Sequence, residues 1–389
     1  MAVINSIADK QDEMRAWRHL LHQHPELNYE EIWTSNFVAE KLESFGIEVH
    51  RGMGKTGVVG ILRGTGDGGK AIGLRADMDA LPIHELNETE YVSKTPGQMH
   101  ACGHDGHTAM LLGAAQYLAA TRNFDGTVYF IFQPAEEGGG GGAAMIKDGL
   151  FEKFDMATVW GMHNWPALEE GRIGVHRGPC MAAADVFDIT IKGRGGHAAQ
   201  PHMSIDPVPC AAALIQAFQT IVSRRLSPDE SGVVTVTMLE AGSTHNVIPD
   251  NVRVAGTARS FTAGTRQLLE ESIRDIAQST AQTFGCEIDF TWDAGYPPTV
   301  NHEAEAGRAA EVMRAIVGAD KVDTDLAPSM GAEDFSYMLE ARPGAYIWLG
   351  SGPAAADGML HCARFDFNDE VLALGASYWA RLVESELPK

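Results

Sequence analysis

Eight consecutive residues, His100-Ala-Cys-Gly-His-Asp-Gly-His107, hold three histidines, one cysteine and one aspartate. Thiolate and imidazole at that density are the donors of zinc and related borderline-soft cations. Cys102 and His104 stand two apart on what reads as a loop entering a helix, a pairing that structural Cys and His seldom need. Acids and histidines recur elsewhere, each just after an apolar run: Asp77 and Asp79, Glu136 and Glu137, His163, and His361. Together they imply one metal centre assembled from several loops of one sheet. Two adjacent carboxylates at a strand end repel each other when both are desolvated, and a cation relieves that. One of Glu136 and Glu137 then ligates while the other accepts a proton from a metal-activated water. Taken singly, either His163 or His361 is more often a satisfied core residue than a ligand. Their case is convergence on one sheet edge, where open α/β sheets place their sites. Asp77 and Asp79 either ligate or orient a ligand from behind it.

The elements that must position these residues follow from apolar periodicity. Residues 6–22 and Ile32 to Phe45 read as amphipathic helices, the second closed by Gly46. Val58–Leu62, Ala71–Arg75, Thr127–Phe132 and Ala157–Trp160 read as strands, with a small-residue helix from about His107 to Ala120. His163 falls just past the end of its strand. Several strands are nearly unbroken apolar runs, as expected when both faces are covered. This is the pattern of an α/β sheet with helices on each side. Near Met181 the character changes. Asp185–Lys192 alternates apolar and polar, and the following elements run helix (Pro207–Val222), strand (Val233–Leu239), strand (Val252–Arg259), helix (Thr265–Phe284), strand (Glu287–Trp292). The order β-α-β-β-α-β is ferredoxin-like. After Pro297-Pro298 a helix at Glu303–Val317 and a strand at Ala345–Leu349 resume the α/β pattern. The expectation is a discontinuous catalytic domain, 1–181 and 297–389, with a smaller domain, 182–296, inserted.

At 389 residues the chain exceeds one ordinary core, and 44% hydrophobic with 21% charged residues is globular composition. A net charge of −22 argues against a nucleic-acid or anionic-membrane partner, since both need basic patches. Five cysteines, Cys102, Cys180, Cys210, Cys286 and Cys362, are sparse and odd in number, so a reducing, cytoplasmic setting is expected over a disulfide framework. No leader or membrane-length apolar run stands out. Gly64-Thr-Gly-Asp-Gly-Gly69 has dinucleotide-loop spacing, but a strand follows where the fingerprint needs a helix, so it reads as a turn. Gly138 to Gly142, directly after the Glu pair, reads as room for close backbone approach.

Arg75-Ala-Asp-Met-Asp-Ala-Leu-Pro82, Met99–His107, Gln133-Pro-Ala-Glu-Glu-Gly138, Gly195-Gly-His-Ala-Ala-Gln-Pro-His202, Asn246-Val-Ile-Pro-Asp250, Gly331-Ala-Glu-Asp-Phe335 and His361 together resemble the metal-dependent aminoacylase/carboxypeptidase amidohydrolases. The branch most resembled is that of hippurate hydrolase and the indole-acetyl-amino-acid hydrolases, from the His19–Glu31 segment to Asp369. The resemblance implies two divalent metal ions per subunit (Zn, Mn, Co or Ni) on Cys102, His104, Glu137, His163 and His361, with Glu136 as general base. It implies that the inserted domain is a lid that dimerises. It places Asn246 and Arg259 against the substrate, and His197 in the partner's site as an oxyanion donor. Other branches carry His-x-Asp where Asp77-x-Asp79 stands here, and a bridging Asp where Cys102 stands.

The expected activity is hydrolysis of an N-acyl amino acid to a carboxylic acid and a free amino acid, by a homodimer or dimer-based tetramer with no nucleic-acid or membrane partner. A dipeptidase or carboxypeptidase on the same scaffold differs only in whether the acyl side carries a free amine. A non-catalytic binding protein of the same fold is the alternative of another class. It has no use for a base at Glu136.

Overall fold

The structure, a computed structural model, describes residues 3–66, 68–352 and 358–389. Met1, Ala2 and, within the Gly64–Gly69 turn, Asp67 lie outside the described residues. The chain divides into two compact units. One comprises Met1–Gly178, Val300–Ala327 and Asp334–Lys389; the other comprises Pro179–Thr299 and Pro328–Glu333. The second unit differs from the expected 182–296 for a local reason. The Ser329 N–H donates to the Cys180 carbonyl at 2.9 Å, and the Ala182 N–H to the carbonyls of Ser329 (3.1 Å) and Gly331 (2.9 Å). These bonds tie a short distant segment to the start of the inserted one.

In the first unit eight strands form one sheet, in the order Glu48–Met53, Gly57–Arg63, Thr127–Gln133, Ala71–Asp77, Thr158–Glu169, Gly344–Gly352, Ile173–Gly174, Val322–Asp323. The central strands are parallel: Ala71–Asp77 pairs so with both Thr127–Gln133 and Thr158–Glu169, and the latter with Gly344–Gly352. Ala71–Asp77 is buried along its whole length, which its apolar run requires. Helices His104–Thr121, Leu372–Glu386 and Gln11–His22 pack on one another, and their apolar side chains share one core with the sheet through Leu111, Phe130, Trp160 and Trp379.

Besides the Leu372–Glu386 helix and the short strands Ile173–Gly174 and Val322–Asp323, which no sequence expectation covered, three elements depart from that expectation for local reasons. The helix expected over 6–22 is two, Asn5–Ala8 and Gln11–His22, because the Lys10 N–H turns back to the Ile7 carbonyl and closes the first. Glu48–Met53 is an antiparallel strand whose half-exposed residues carry little apolar signal. Thr158–Glu169 does not stop at Trp160; its parallel pairing runs on through Trp348↔His163 to Gly350↔Trp165, so His163 lies within the strand rather than past its end.

In the second unit, Gly232–Ala241, Asn251–Ser260, Ala183–Lys192 and Glu287–Ala294 form an antiparallel sheet in that order. Helices Pro207–Thr220 and Ala263–Thr283 share its core through Leu214, Phe218, Leu269 and Ile273, giving the ferredoxin-like arrangement. Gly232–Ala241 is an edge strand, and Met238 and Leu239 on it are 43% and 56% exposed. Among the described residues no helix is long and apolar enough to cross a membrane.

Candidate metal centre

The site begins at a turn that only glycine can make. Gly103 has φ 96°, and an added Cβ would lie 2.4 Å from Asn164 Oδ1. Its freedom at positive φ sets Cys102 and His104 on either side of a sharp bend at the start of the His104–Thr121 helix. The ligand atoms of Cys102, His104 and His163 lie within 4.8 Å of one another, and all three residues are buried. Those of Cys102, Glu137 and His361 form a second such group, and His104, Glu136 and Glu137 a third. The residues named from sequence in the first unit are therefore brought together. His361 reaches the cluster from a strained backbone, φ 64°, pinned by its N–H on the Ala101 carbonyl at 2.8 Å.

The histidines are oriented as ligands. His163 Nδ1 lies 2.6 Å from the Asn164 carbonyl, so Nδ1 carries the proton and Nε2 presents its lone pair, 3.3 Å from Cys102 Sγ. His104 Nδ1 lies 3.2 Å from Asp79 Oδ1, which fixes the same tautomer. Among the described residues its buried Nε2 has no hydrogen-bond partner and lies 4.0 Å from Glu137 Oε1 and 3.8 Å from Asp77 Oδ2. Glu137 Oε1 is 3.1 Å from His361 Nε2 but likewise makes no hydrogen bond. Buried polar atoms left so need a partner, and a soft S/N/O set aimed at one point fits a divalent cation of the zinc kind.

Asp77 and Asp79 stand directly behind the donors, and the carboxylate of Asp77 also forms a group with His104 and His107 whose ligand atoms lie within 4.8 Å of one another. Asp79 orients His104 through Oδ1 and accepts the Glu137 N–H through Oδ2 at 2.8 Å. Asp77 accepts from His107 Nδ1 at 2.6 Å and from Arg75 Nη1 at 2.6 Å. His107 Nε2 in turn accepts the Asn164 N–H at 3.0 Å. Arg75, 1% exposed, also binds Gln133 Oε1 at 2.9 Å and Asp334 Oδ1 at 3.0 Å, and so ties three segments beneath the site. Sequence reasoning missed Asn164, Gln133 and Asp334 as supports. For Gln133 and Asn164 the available signal was a polar side chain within an otherwise apolar strand; Asp334 directly precedes the Phe335–Ala341 helix.

The electrostatics are those of a cation site. Burial disfavours a charged His104, but the carboxylates of Asp77, Asp79 and Glu137 outweigh it and raise the imidazole to about 10. Burial, and then the nearby His107, hold His163 well below the usual histidine value, which keeps its lone pair available. Burial and the charges of Glu137, Glu136 and Asp77 push the Cys102 thiol well up. A thiolate there needs a positive charge beside it.

The remaining named residues lie in the second unit. His197 and Asn246 are exposed neighbours: His197 pairs with Val247, and the Ala198 N–H donates to the Asn246 carbonyl at 3.1 Å. Arg259 is not with them. It lies near the far end of the Asn251–Ser260 strand, roughly 27 Å from Asn251 at about 3.4 Å per residue. Its guanidinium, half-buried, bonds among the described residues to Thr257 Oγ1 and the Ala258 carbonyl.

The comparisons with known proteins agree with this geometry. The sequence profile described as peptidase family M20/M25/M40 matches residues 73–385. A hippurate hydrolase of Campylobacter jejuni is 43% identical over 382 residues, 98% of each chain. An N-acetylcysteine deacetylase of Bacillus subtilis is 39% identical over 367 residues, 94% of each chain. Among solved structures, a Bacillus subtilis protein described as a dinuclear metal binding peptidase of the M20 family superposes with a TM-score of 0.86 at 34% identity, over 98% of this chain and 99% of that one. On the strength of these matches and the cluster of buried sulfur, nitrogen and oxygen donors, the chain belongs to peptidase family M20/M25/M40.

Proposed function

We propose that this chain hydrolyses the amide bond of N-acyl amino acids, with two divalent cations per subunit held by Cys102, His104, Glu137, His163 and His361. The observation that carries this reading is that Cys102 belongs to two donor groups at once, one with His104 and His163 and one with Glu137 and His361. A shared thiolate suits two ions side by side. The thiolate and imidazoles suit Zn best and Ni through the imidazoles, while the carboxylates are the donors Mn prefers; Zn, Mn, Co and Ni are the candidate ions. When bound, a metal pair polarises the scissile carbonyl and lowers the pKa of a water. Glu136 is not needed to complete either group; it takes the attacking water's proton and delivers it to the leaving nitrogen. Such transfer is typically worth about 10²–10⁴ in rate.

Two similar proteins are named for hippurate and N-acetylcysteine, both N-acyl amino acids. This supports the same substrate class here. Arg259, which pairs with no carboxylate among the described residues, would hold the substrate's carboxylate as a fork. His197, on Gly196–His197, and Asn246, just before Val247–Ile248, lie near the opposite end of the Asn251–Ser260 strand from Arg259, so they would serve the site of a second subunit. The exposed edge strand Gly232–Ala241 gives such a homodimer its contact, and the second unit acts as lid and dimerisation domain. Five free thiols suit the cytoplasm.

The test is hydrolysis of hippurate, N-acetylcysteine, N-acetylmethionine and free-amine dipeptides before and after chelation, with Zn²⁺, Mn²⁺, Co²⁺ or Ni²⁺ restored. Chelation should abolish activity, one cation should restore it, and N-acyl substrates should be preferred. Preference for free-amine dipeptides would make the chain a dipeptidase. No hydrolysis with any cation would overturn the reading.

A further inference from the structure

Glu31 lies outside every role assigned so far, yet it is 0% exposed. Its three partners are neutral donors. Oε1 accepts from the Tyr29 N–H at 3.0 Å and the Ala135 N–H at 2.9 Å, and Oε2 from the Thr56 hydroxyl at 2.6 Å. Among the described residues no cation pairs with this buried carboxylate, which is costly, so its contacts must do something an apolar side chain could not.

The contact with Ala135 stands out. Ala135 is fully buried and has φ 52°, a left-handed conformation that a residue with a Cβ avoids. It directly precedes Glu136. The direction in which the chain leaves Ala135 sets where the Glu136 carboxylate points. Two further residues of the same short segment grip the same loop. Asn28 Nδ2 donates to the Glu137 carbonyl at 2.6 Å, and the Tyr29 hydroxyl to the Gly139 carbonyl at 2.7 Å. Tyr29 is itself left-handed, φ 64°. Strain of this kind persists only where the surroundings over-determine it, and it gathers at functional sites.

We propose that Glu31 is a positioning residue for the hydrolytic reaction: by accepting the Ala135 N–H it holds the backbone left-handed before Glu136 and so aims the Glu136 carboxylate. Asn28 and Tyr29 hold the far side of the same loop. This inference rests on the reading of Glu136 as the base.

The test compares Glu31→Ala and Glu31→Gln, each alone and combined with Glu136→Gln, all loaded with metal. Glu31→Gln keeps an oxygen for the two N–H donors and turns its amide to the Thr56 oxygen, so it should stay within a few-fold of wild type. Glu31→Ala should lower kcat by at least about tenfold, the population penalty of a left-handed alanine. KM and metal content should hold within twofold. In the Glu136→Gln background Glu31→Ala should cost nothing more, because there is no base left to aim. An unchanged kcat in Glu31→Ala would overturn the proposal. So would an equal loss in both backgrounds, which marks general damage. Full activity in Glu136→Gln alone would instead overturn the reading of the base. If Glu31→Ala does not fold, Thr56→Val and Thr56→Ser replace it. Val frees Oε2 and should lower kcat several-fold at constant KM, while Ser should not; equal kcat in the two would overturn the proposal.

Discussion

Gly103 stands against Asn164: a Cβ at position 103 would lie 2.4 Å from Asn164 Oδ1. Two requirements of the site meet in that contact. The bend puts Cys102 and His104 on one cluster, and Asn164 holds His107 and His163 in place through its N–H and carbonyl. Gly103→Ala should therefore fail twice over, through strain at φ 96° and through overlap, at roughly 2–5 kcal/mol together. The expected outcome is a folded but less stable protein with reduced metal content. Full occupancy by elemental analysis, at an unchanged melting temperature, would contradict it.

Glu136→Gln separates the base from the ligands. The donor groups of Cys102 with His104 and His163, and of Cys102 with Glu137 and His361, do not include it. Metal content should stay at the wild-type value while kcat falls about 10²–10⁴-fold. Loss of metal along with activity would place Glu136 among the ligands instead.

Subunit exchange tests the proposed reach of His197. Glu136→Gln and His197→Ala should each be inactive alone. In an equal mixture half the dimers are mixed, and a mixed dimer has one site with both defects and one with neither. Activity should recover toward a quarter of wild type. Exchange shown by native mass spectrometry without recovery would mean that His197 serves its own subunit or no site.

Stability should depend on His22. Burial disfavours its charge, but hydrogen bonds with Asp105 at 2.8 Å and Glu85 at 3.1 Å prevail and raise it to about 9. A folded value above the unfolded one, about 6.5, gives stability that is complete below pH 6.5 and lost as pH rises toward 9. The contribution is at most roughly 3–4 kcal/mol at 1.36 kcal/mol per unit. Denaturant midpoints between pH 6 and 9.5 should fall more steeply for wild type than for His22→Gln. Parallel curves would assign the fall to other groups.

The donors were legible because metal chemistry narrows the choice of side chain: Cys102, His104 and the Glu136–Glu137 pair announce themselves by type and spacing. The central strands were legible because burial on both faces leaves unbroken apolar runs, as in Ala71–Asp77. What escaped was set by tertiary context. Thr158–Glu169 outran its apolar signal because Gly344–Gly352 continued to pair with it. Asn164 and Asp334 looked like ordinary polar residues, since their work depends on partners far away in sequence. The strain at Ala135 and His361 has no signature in residue type at all.

The donor cluster draws on residues from Cys102 to His361, and the helix that packs on His104–Thr121 is Leu372–Glu386. A chain leaves the ribosome from its N-terminus at about 5–20 residues per second. Cys102 and His104 thus emerge tens of seconds before the last donor and the helix that braces them. During that interval a growing chain offers a cation only part of its final grip. Hydrolytic competence is in this way deferred until His361 and the Leu372–Glu386 helix have emerged. Early termination anywhere before His361 should yield a product unable to retain the full metal complement.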